Sequence, residues 1–183
     1  MTKNDLDNVD LSFCNEYLPA HLKIDFNSEA GKEHYRLLNF ICKDKNLVFD
    51  VGTYRGSSAI AMTSAKQVIS YNIEDQLEVL KPSNVTFKIG DALKDPDLLK
   101  ADLILLDTFH NGAYEYQFYE FLKSNGYKGL LLLDDIMLNR EMMGFWSSIT
   151  HKKEDLTSLG HYSGTGIVYF NNQPIKRCNT CNK

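Results

Sequence analysis

The fold class follows from one short segment, LVFDVGTYRGSS at positions 47–58. Its first five residues, Leu47–Val51, are apolar apart from Asp50, and Gly52 follows them directly. A strand that is apolar on both faces is typical of the middle of a parallel sheet that helices cover. The glycine allows a tight turn into the helical stretch Ser57–Lys66. The segment therefore predicts a strand, a glycine turn and a helix, in that order.

Five further apolar runs of strand length follow along the chain. They are Val68–Tyr71, Val85–Ile89, Leu103–Leu106, Leu130–Leu133 and Ile167–Phe170. The helical stretches between them are Ala92–Lys100, which is short, Ala113–Leu122 and Asn139–Ile149. Alternating strands and helices predict an α/β fold with a doubly wound, mostly parallel sheet and right-handed crossovers. Glycines around the last run predict a terminal hairpin with an antiparallel strand; they are Gly160, Gly164 and Gly166.

The domain organisation is simple. A chain of 183 residues is ordinarily one domain. Residues 1–30 are expected to form an N-terminal arm or lid, with a helix starting after Asn27 or Ser28. Residues 31–172 form the main domain, and residues 173–183 form a polar tail. Cys178 and Cys181 in this tail supply only two of the four ligands of a structural zinc ion, so we interpret them as incidental.

Composition excludes several classes of protein. The net charge of −4 and the lack of a basic stripe disfavour nucleic acid as a partner. The charged runs Lys43–Lys45 and Lys152–Asp155 are interpreted as solvated faces. The first ten residues show no targeting signal, and the apolar stretches are too short to cross a membrane. The four scattered cysteines fit a reducing compartment, so a cytoplasmic location is expected.

The turn after the first strand has a distinctive spacing. Gly52 and Gly56 lie four positions apart, at the end of a strand where α/β sheets bind ligands. The spacing differs from the G-x-G-x-x-G dinucleotide motif, and no Lys-Ser or Lys-Thr follows as in a P-loop. We interpret the loop as a site for a nucleoside-type ligand. The alternative is a plain strand-to-helix turn.

Acidic residues follow the other strands too. Asn72 and Glu74 come after the second strand, where a side-chain acceptor is placed to bind ribose hydroxyls. Asp91 follows the third strand and could meet the edge of an adenine. The fourth and fifth strands end in acids at Asp107, Asp134 and Asp135. Acids along one rim of the sheet favour a binding site over a series of unrelated helix caps.

These motifs together resemble the class I S-adenosylmethionine-dependent methyltransferases. The likeness is greatest to the small-molecule and sugar O-methyltransferase branch, with its macrocin-type and cephalosporin-hydroxylase-like members. It spans roughly residues 46–170 and is carried by residues 49–58, 89–92, 102–107 and 132–136 and by Glu141-Met142. The resemblance implies a Rossmann-like methyltransferase fold with S-adenosyl-L-methionine as the cofactor. The implied cofactor-binding residues are Asp50, Gly52, Tyr54, Gly56, Ser57, Asn72, Glu74, Asp91, Ala92 and Asp107.

The implied contacts divide by cofactor part. Asp50, Gly52 and Gly56 would surround the methionine part, and Asp91 would meet the adenine amino group. Relatives often have Asp where Asn72 stands, so the ribose contact is expected from either Asn72 or Glu74.

A metal site and a general base are also implied. Carboxylate oxygens suit Mg²⁺, Mn²⁺ or Ca²⁺. In the divalent-dependent O-methyltransferases that this chain resembles, acids at the positions of Asp107, Asp134 and Asp135 hold a metal such as Mg²⁺ that orients substrate hydroxyls. Alternatively, Asp134 or Asp135 caps the following segment and Asp107 only lines the cofactor site.

His110 stands where catechol-type relatives have a lysine base. We predict that His110 and Asp107 are catalytic, with His110 taking the proton from an acceptor hydroxyl. The alternative is an incidental loop histidine. The remaining histidines have no comparable sequence context; they are His21, His34, His151 and His161.

Three functions are compatible with these motifs to different degrees. The first is O-methylation of a hydroxylated small molecule or sugar, with transfer in line and catalysis chiefly by alignment. The second is a non-catalytic module that binds the cofactor or a partner. The third, a nicotinamide-dependent oxidoreductase, is weakest because G-x-G-x-x-G is absent. The acidic triad favours an enzyme. Many relatives form homodimers, and a homodimer is compatible with this sequence. The residues expected to border the acceptor pocket are Tyr54, Arg55, Phe109 and Tyr114.

Overall fold

The computed structural model describes residues 1–171, and for Lys32 only the backbone. Within them the chain forms one seven-stranded sheet in the order β3-β2-β1-β4-β5-β7-β6. The strands are β1 Leu47–Val51, β2 Gln67–Asn72, β3 Val85–Ile89, β4 Leu103–Leu106, β5 Leu130–Leu133, β6 Lys152–Asp155 and β7 Gly166–Tyr169. Strands β1 to β5 are parallel, and β7 is antiparallel to both of its neighbours. The predicted doubly wound sheet with an antiparallel terminal strand is confirmed.

The register aligns the carboxyl ends of the central strands. Val51 of β1 lies beside Leu106 of β4, and Leu106 lies beside Leu133 of β5. The residues that follow these three strands therefore emerge at one edge of the sheet. Strand order reverses between β1 and β4, which is where open α/β sheets hold their ligands.

Six α-helices are present in the described part of the chain. They are α1 Lys3–Asp7, α2 Ala20–Phe26, α3 Glu29–Cys42, α4 Ser57–Ala61, α5 Ala113–Ser124 and α6 Arg140–Ser148. Ser28 caps α3 by accepting a hydrogen bond from the amide of Gly31, as expected for an N-cap serine. Both α5 and α6 match the predicted helical stretches.

Two predicted helices are shorter than expected. The first, α4, ends at Ala61 and is followed by a 3₁₀ turn at Met62–Ser64. Residues 92–100 form two 3₁₀ turns, Ala92–Lys94 and Leu98–Lys100. The buried carboxylate of Asp95 between them binds the Tyr71 hydroxyl and the Lys88 ammonium, so a tertiary contact interrupts the helix here.

The charged run Lys152–Asp155, interpreted as a solvated face, forms strand β6. These residues pair antiparallel with β7 at the edge of the sheet, and most of their side chains are exposed. Charged residues on an edge strand discourage pairing with other chains. The pattern is therefore that of an edge strand.

The N-terminal segment belongs to the hydrophobic core on one face of the sheet. Leu6, Cys14, Leu22 and Phe26 are buried there together with Leu38 of α3. The thiols of Cys14 and Cys42 are free. Cys178, Cys181 and the rest of the predicted tail lie outside the described residues. No helix among residues 1–171 is long and apolar enough to cross a membrane.

Candidate active site

A cavity of about 460 Å³ opens at the carboxyl edge of β1, β2 and β4. Its volume falls within the roughly 300–1,000 Å³ of small-molecule and cofactor sites. No residue of the predicted N-terminal arm lines it. Its lining consists of Val51, Gly52, Tyr54, Tyr71, Asn72, Ile73, Glu74, Gln76, Gly90, Ala92, Asp107, Thr108, Phe109, His110 and Tyr114.

The glycine turn lies at the floor of this cavity. Gly52 has a φ of 101°, and its amide donates a hydrogen bond to the carbonyl of Tyr71. A Cβ at Gly52 would stand 1.6 Å from the backbone oxygen of Asp107. Only glycine therefore permits this approach of the β1 and β4 loops, which places Asp107 against the turn.

Six of the ten predicted cofactor residues line the cavity: Gly52, Tyr54, Asn72, Glu74, Ala92 and Asp107. The other four, Asp50, Gly56, Ser57 and Asp91, are not among the lining residues.

Asp50 and Asp91 support the surrounding backbone. Asp50 is completely buried and accepts hydrogen bonds from the hydroxyls of Ser58 and Ser70, each 3.0 Å long. Asp91 caps the turn after β3 by accepting from the amide of Leu93. These contacts place both carboxylates in the scaffold of the loops.

Gly56 and Ser57 begin the helix that follows the turn. Gly56, with a φ of 104°, is the N-cap of α4, and a Cβ there would meet the side chains of Val79 and Leu77. Ser57 is the first residue of α4. The loop between β2 and β3 thus packs directly behind Gly56.

Burial raises the pKa of Asp50 to about 6, although the hydroxyls of Thr53, Ser70 and Ser58 oppose the shift. Asp50 in the folded protein therefore binds a proton that the unfolded chain releases near its ordinary value of 3.8. Its effect on stability is favourable at low pH and is lost as the pH rises through about 6. The shift corresponds to roughly 3 kcal/mol.

Asp50→Asn is expected to remove this pH dependence. The melting temperature of the variant relative to wild type should rise between pH 4.5 and pH 7.5, as measured by differential scanning fluorimetry. Asp25→Asn, at an exposed position, is the control and should show no such change. An equal difference for Asp50→Asn at both pH values would contradict the assignment.

The second strand ends in two polar residues with different roles. The amide of Asn72 donates to the carbonyl of Tyr54, and its oxygen accepts from the amide of Ile73. Asn72 therefore ties two loops together. The exposed Glu74 carboxylate lines the cavity and accepts only a long hydrogen bond, 3.3 Å, from Gln76 among the described residues. Glu74 is the freer of the two to accept a ligand hydroxyl.

The loop after β4 presents Asp107 and His110 to the cavity. Nε2 of His110 lies 3.0 Å from Oδ1 of Asp107 and 3.5 Å from Oδ2 of Asp135. The interaction with Asp107 raises the pKa of His110 despite its partial burial. His110 thus links the cavity to Asp135.

Glu115 of α5 holds this loop and was missed by the sequence analysis. It is 1% exposed, and its Oε1 accepts hydrogen bonds of 2.9 Å from the hydroxyl of Thr108 and the amide of His110. Asn139, the N-cap of α6, donates to the carbonyl of His110 from the other side. In the sequence, Glu115 is indistinguishable from an ordinary first-turn acid of a helix.

Two more histidines reach the acids after β5. One ligand atom each of Asp134, Asp135 and His161 lie within 4.8 Å of one another. Nδ1 of His34, on α3, lies 4.0 Å from Oδ1 of Asp134. Asp107 is outside the close group of three and reaches it through His110. We name Asp107, Asp134, Asp135, His34, His110 and His161 the Asp–His cluster.

The electrostatics of the Asp–His cluster differ between neighbours. Burial raises the pKa of Asp134. Burial also acts to raise the pKa of Asp135, but hydrogen bonds from His161 and Ser163 outweigh it and lower the pKa. The hydrogen bond to Asp135 raises the pKa of His161. The two adjacent carboxyl groups thus differ, since the pKa of Asp134 is raised and that of Asp135 is lowered.

Backbone strain is concentrated around the cavity and the cluster. Four non-glycine residues in the described chain have positive φ, and three of them are Tyr54, His110 and Asp135, with φ of 48°, 51° and 57°. Such conformations cost energy, and they persist where the surrounding structure enforces them, often at functional sites. Together with the cavity, they make this edge of the sheet the candidate active site.

Comparison with solved structures finds proteins of similar fold. A methyltransferase from Podospora anserina, PaMTH1 bound to S-adenosylhomocysteine, has a TM-score of 0.58 and 13% identity, with 88% of this chain and 93% of that chain covered. The O-methyltransferase TomG from Streptomyces achromogenes, in complex with S-adenosylmethionine, has a TM-score of 0.53 and 13% identity, with 87% and 88% covered. An O-methyltransferase from Bacillus cereus, in complex with S-adenosylhomocysteine, has a TM-score of 0.51 and 14% identity, with 91% and 90% covered.

Sequence comparisons add nothing further, since no protein-family model and no curated protein matches the chain. Identities this low establish the fold alone. With a sheet order in which an antiparallel β7 lies between β5 and β6, the chain has the Rossmann-like fold of the class I S-adenosylmethionine-dependent methyltransferases.

Proposed function

We propose that this protein is an S-adenosylmethionine-dependent O-methyltransferase that acts on a hydroxylated small molecule, a sugar among the candidates. The observation that carries the proposal is the position of Asp107 and His110. Both line the 460 Å³ cavity, and His110 also lies 3.5 Å from Asp135, which follows β5. A cofactor pocket thus opens onto groups that can receive a hydroxyl and its proton. The solved structures of similar fold include complexes with S-adenosylmethionine and S-adenosylhomocysteine, which supports the choice of cofactor.

The lining residues suit each part of this cofactor. S-adenosylmethionine would supply an electrophilic methyl group on its sulfonium. The Gly52 turn leaves space for the methionine part, and Glu74 is placed to accept the ribose hydroxyls. Ala92 and Tyr114 add apolar surface for the adenine. These contacts would hold the methyl group in one orientation, which is the main contribution an enzyme makes to an in-line transfer.

The Asp–His cluster is the proposed acceptor site. His110 would take the proton of the acceptor hydroxyl, and Asp107 would hold the imidazole in place through their 3.0 Å contact. Asp134 and Asp135 offer carboxylate oxygens to a divalent cation. Such a cation would lower the pKa of the hydroxyl and help to orient it.

The test is calorimetric titration with S-adenosylmethionine. Wild type is expected to bind in the micromolar range. Glu74→Gln should weaken binding about tenfold, because a charge-assisted hydrogen bond is worth about 1.5–3 kcal/mol. Glu16→Gln, at an exposed position outside the cavity, is the matched control. No binding by wild type would overturn the proposal and favour a non-catalytic module of the same fold.

His110→Gln is expected to slow methyl transfer without abolishing cofactor binding. Loss of a general base typically costs about 10²–10⁴-fold in rate. The measurement is release of S-adenosylhomocysteine in the presence of hydroxylated acceptors found by screening, with S-adenosylmethionine affinity measured in parallel. His151→Gln is the control, because His151 contacts the Tyr119 hydroxyl and does not line the cavity. Equal rates for His110→Gln and wild type would remove the base assignment.

A further inference from the structure

We infer that Asp134, Asp135 and His161 form a histidine-containing site for a divalent transition-metal ion, and that His161 makes the site prefer such an ion to Mg²⁺. The family resemblance implies an all-carboxylate site that includes Asp107, and it gives His161 no role. The part of the inference that concerns methyl transfer rests on the proposed function. Binding of the ion does not.

Ligand atoms of Asp134, Asp135 and His161 lie almost close enough to share one ion. Ligand atoms that share an ion at about 2.1 Å lie up to about 4.2 Å apart. The selected atoms of Asp134, Asp135 and His161 lie within 4.8 Å of one another, so small rotations of the side chains bring them into range. Two carboxylates from the end of β5 and an imidazole from the segment before β7 would thus face one point.

One buried atom of this group has no hydrogen-bond partner among the described residues. The side chain of Asp134 is 9% exposed, and its Oδ1 has no hydrogen-bond partner among the described residues. The nearest candidate, Nδ1 of His34, is 4.0 Å away, too far for a hydrogen bond, and it is likewise buried and unpaired. Leaving a buried acceptor unpaired costs about 1–3 kcal/mol, and more for a charged group. A cation beside Asp134 would remove this cost.

The types of donor atom indicate which ion the site prefers. Mg²⁺ prefers oxygen ligands and retains several waters, whereas imidazole suits zinc, iron, copper and nickel. A set with two carboxylates and one imidazole resembles the ligand types of transition-metal sites more closely than those of magnesium sites. His161 is therefore the residue that decides which ion is bound.

Position supports an active role for the ion. Asp135, one of the three proposed ligands, lies 3.5 Å from His110, which lines the cavity. Asp135 also has a positive φ, and its carboxylate contacts Ser163 and His161. An ion held here would lie beside the proposed acceptor site.

The test uses Mn²⁺ as the probe and electron paramagnetic resonance as the readout. Free Mn²⁺ gives a strong six-line spectrum that diminishes on binding, and nitrogen modulation of the spin echo reports a coordinated imidazole. Wild type is expected to bind Mn²⁺ with nitrogen modulation. His161→Ala should lose the modulation and bind Mn²⁺ at least tenfold more weakly, while its affinity for Mg²⁺, measured by competition, changes less than threefold. His21→Ala, an exposed histidine near Glu78, is the control.

Each outcome decides a separate point. Wild-type Mn²⁺ without nitrogen modulation would overturn the inference, and so would modulation that survives His161→Ala. If His161→Ala fails to fold by circular dichroism, His161→Asn and the wild-type spectrum answer the same question. The Mn²⁺ samples contain no S-adenosylmethionine, so the two tests are independent. If calorimetry shows cofactor binding but the Mn²⁺ spectrum shows no nitrogen ligand, only the metal site is overturned. If the spectrum shows a nitrogen ligand but calorimetry shows no cofactor binding, only the proposed function is overturned.

Discussion

Gly52→Ala is expected to abolish S-adenosylmethionine binding and to destabilise the fold. The new Cβ would lie 1.6 Å from the backbone oxygen of Asp107, so the β1 and β4 loops would have to separate. Alanine would also have to adopt a φ near 101°, which L residues rarely reach. Strain and overpacking together suggest a loss of about 3–5 kcal/mol in the free energy of unfolding. Chemical denaturation and calorimetry measure the two effects.

Gly126→Ala separates the two causes. Gly126, after α5, also has a positive φ, of 69°, but no atom lies within 4 Å of the position of its Cβ. Its substitution should therefore cost only the backbone term, about 1–2 kcal/mol, and leave cofactor affinity intact. If the two variants lose equal stability and Gly52→Ala still binds the cofactor, then the close approach of the two loops does not form the pocket.

Glu115→Ala is the second large expected effect. It removes the shared acceptor of the Thr108 hydroxyl and the His110 amide, and it leaves both donors without the partner that holds the loop. Because Asp107, Thr108, Phe109 and His110 line the cavity, S-adenosylmethionine affinity should fall at least tenfold. Hydrogen bonds to a charged group contribute about 1.5–3 kcal/mol each, so the melting temperature should fall as well.

Glu115→Gln provides the matched comparison, because its side-chain oxygen can accept the same two hydrogen bonds. We expect this variant to keep wild-type affinity within about threefold, since the loop keeps its support. Similar affinities for Glu115→Ala and wild type would show that the loop is held by Asn139 and the strand instead.

The parallel part of the sheet could be predicted because its strands are short, continuous apolar runs. Leu103–Leu106 and Leu130–Leu133 are buried on both faces. Such a strand is a continuous apolar run whichever strands it pairs with, so it can be recognised from the sequence alone. Strand β6 could not be predicted in this way. Lys152–Asp155 has no apolar face. Its extended form depends on hydrogen bonds to β7, which lies later in the sequence, so the local residue pattern does not reveal the strand.

The candidate site was predictable where its residues follow strands. Gly52, Asp107 and the acids after β5 come directly after apolar runs, so the topology brings them to one edge. His34 and His161 could not be placed, because α3 and the segment before β7 reach the site only through tertiary packing. One signal was available for His161. It precedes Gly164 and Gly166, which lead into the strand expected next to β5.

The position of β7 has a consequence for synthesis on the ribosome. Within the described residues, β6 pairs with no strand except β7, and β7 also closes the free edge of β5. Domains grow from the amino end at about 5–20 residues per second, so β1 to β5 are exposed before β7 emerges. His161 is translated immediately before this strand. The nascent chain can therefore assemble the cavity proposed for the cofactor early, whereas the proposed metal site is completed only when the last strand is inserted.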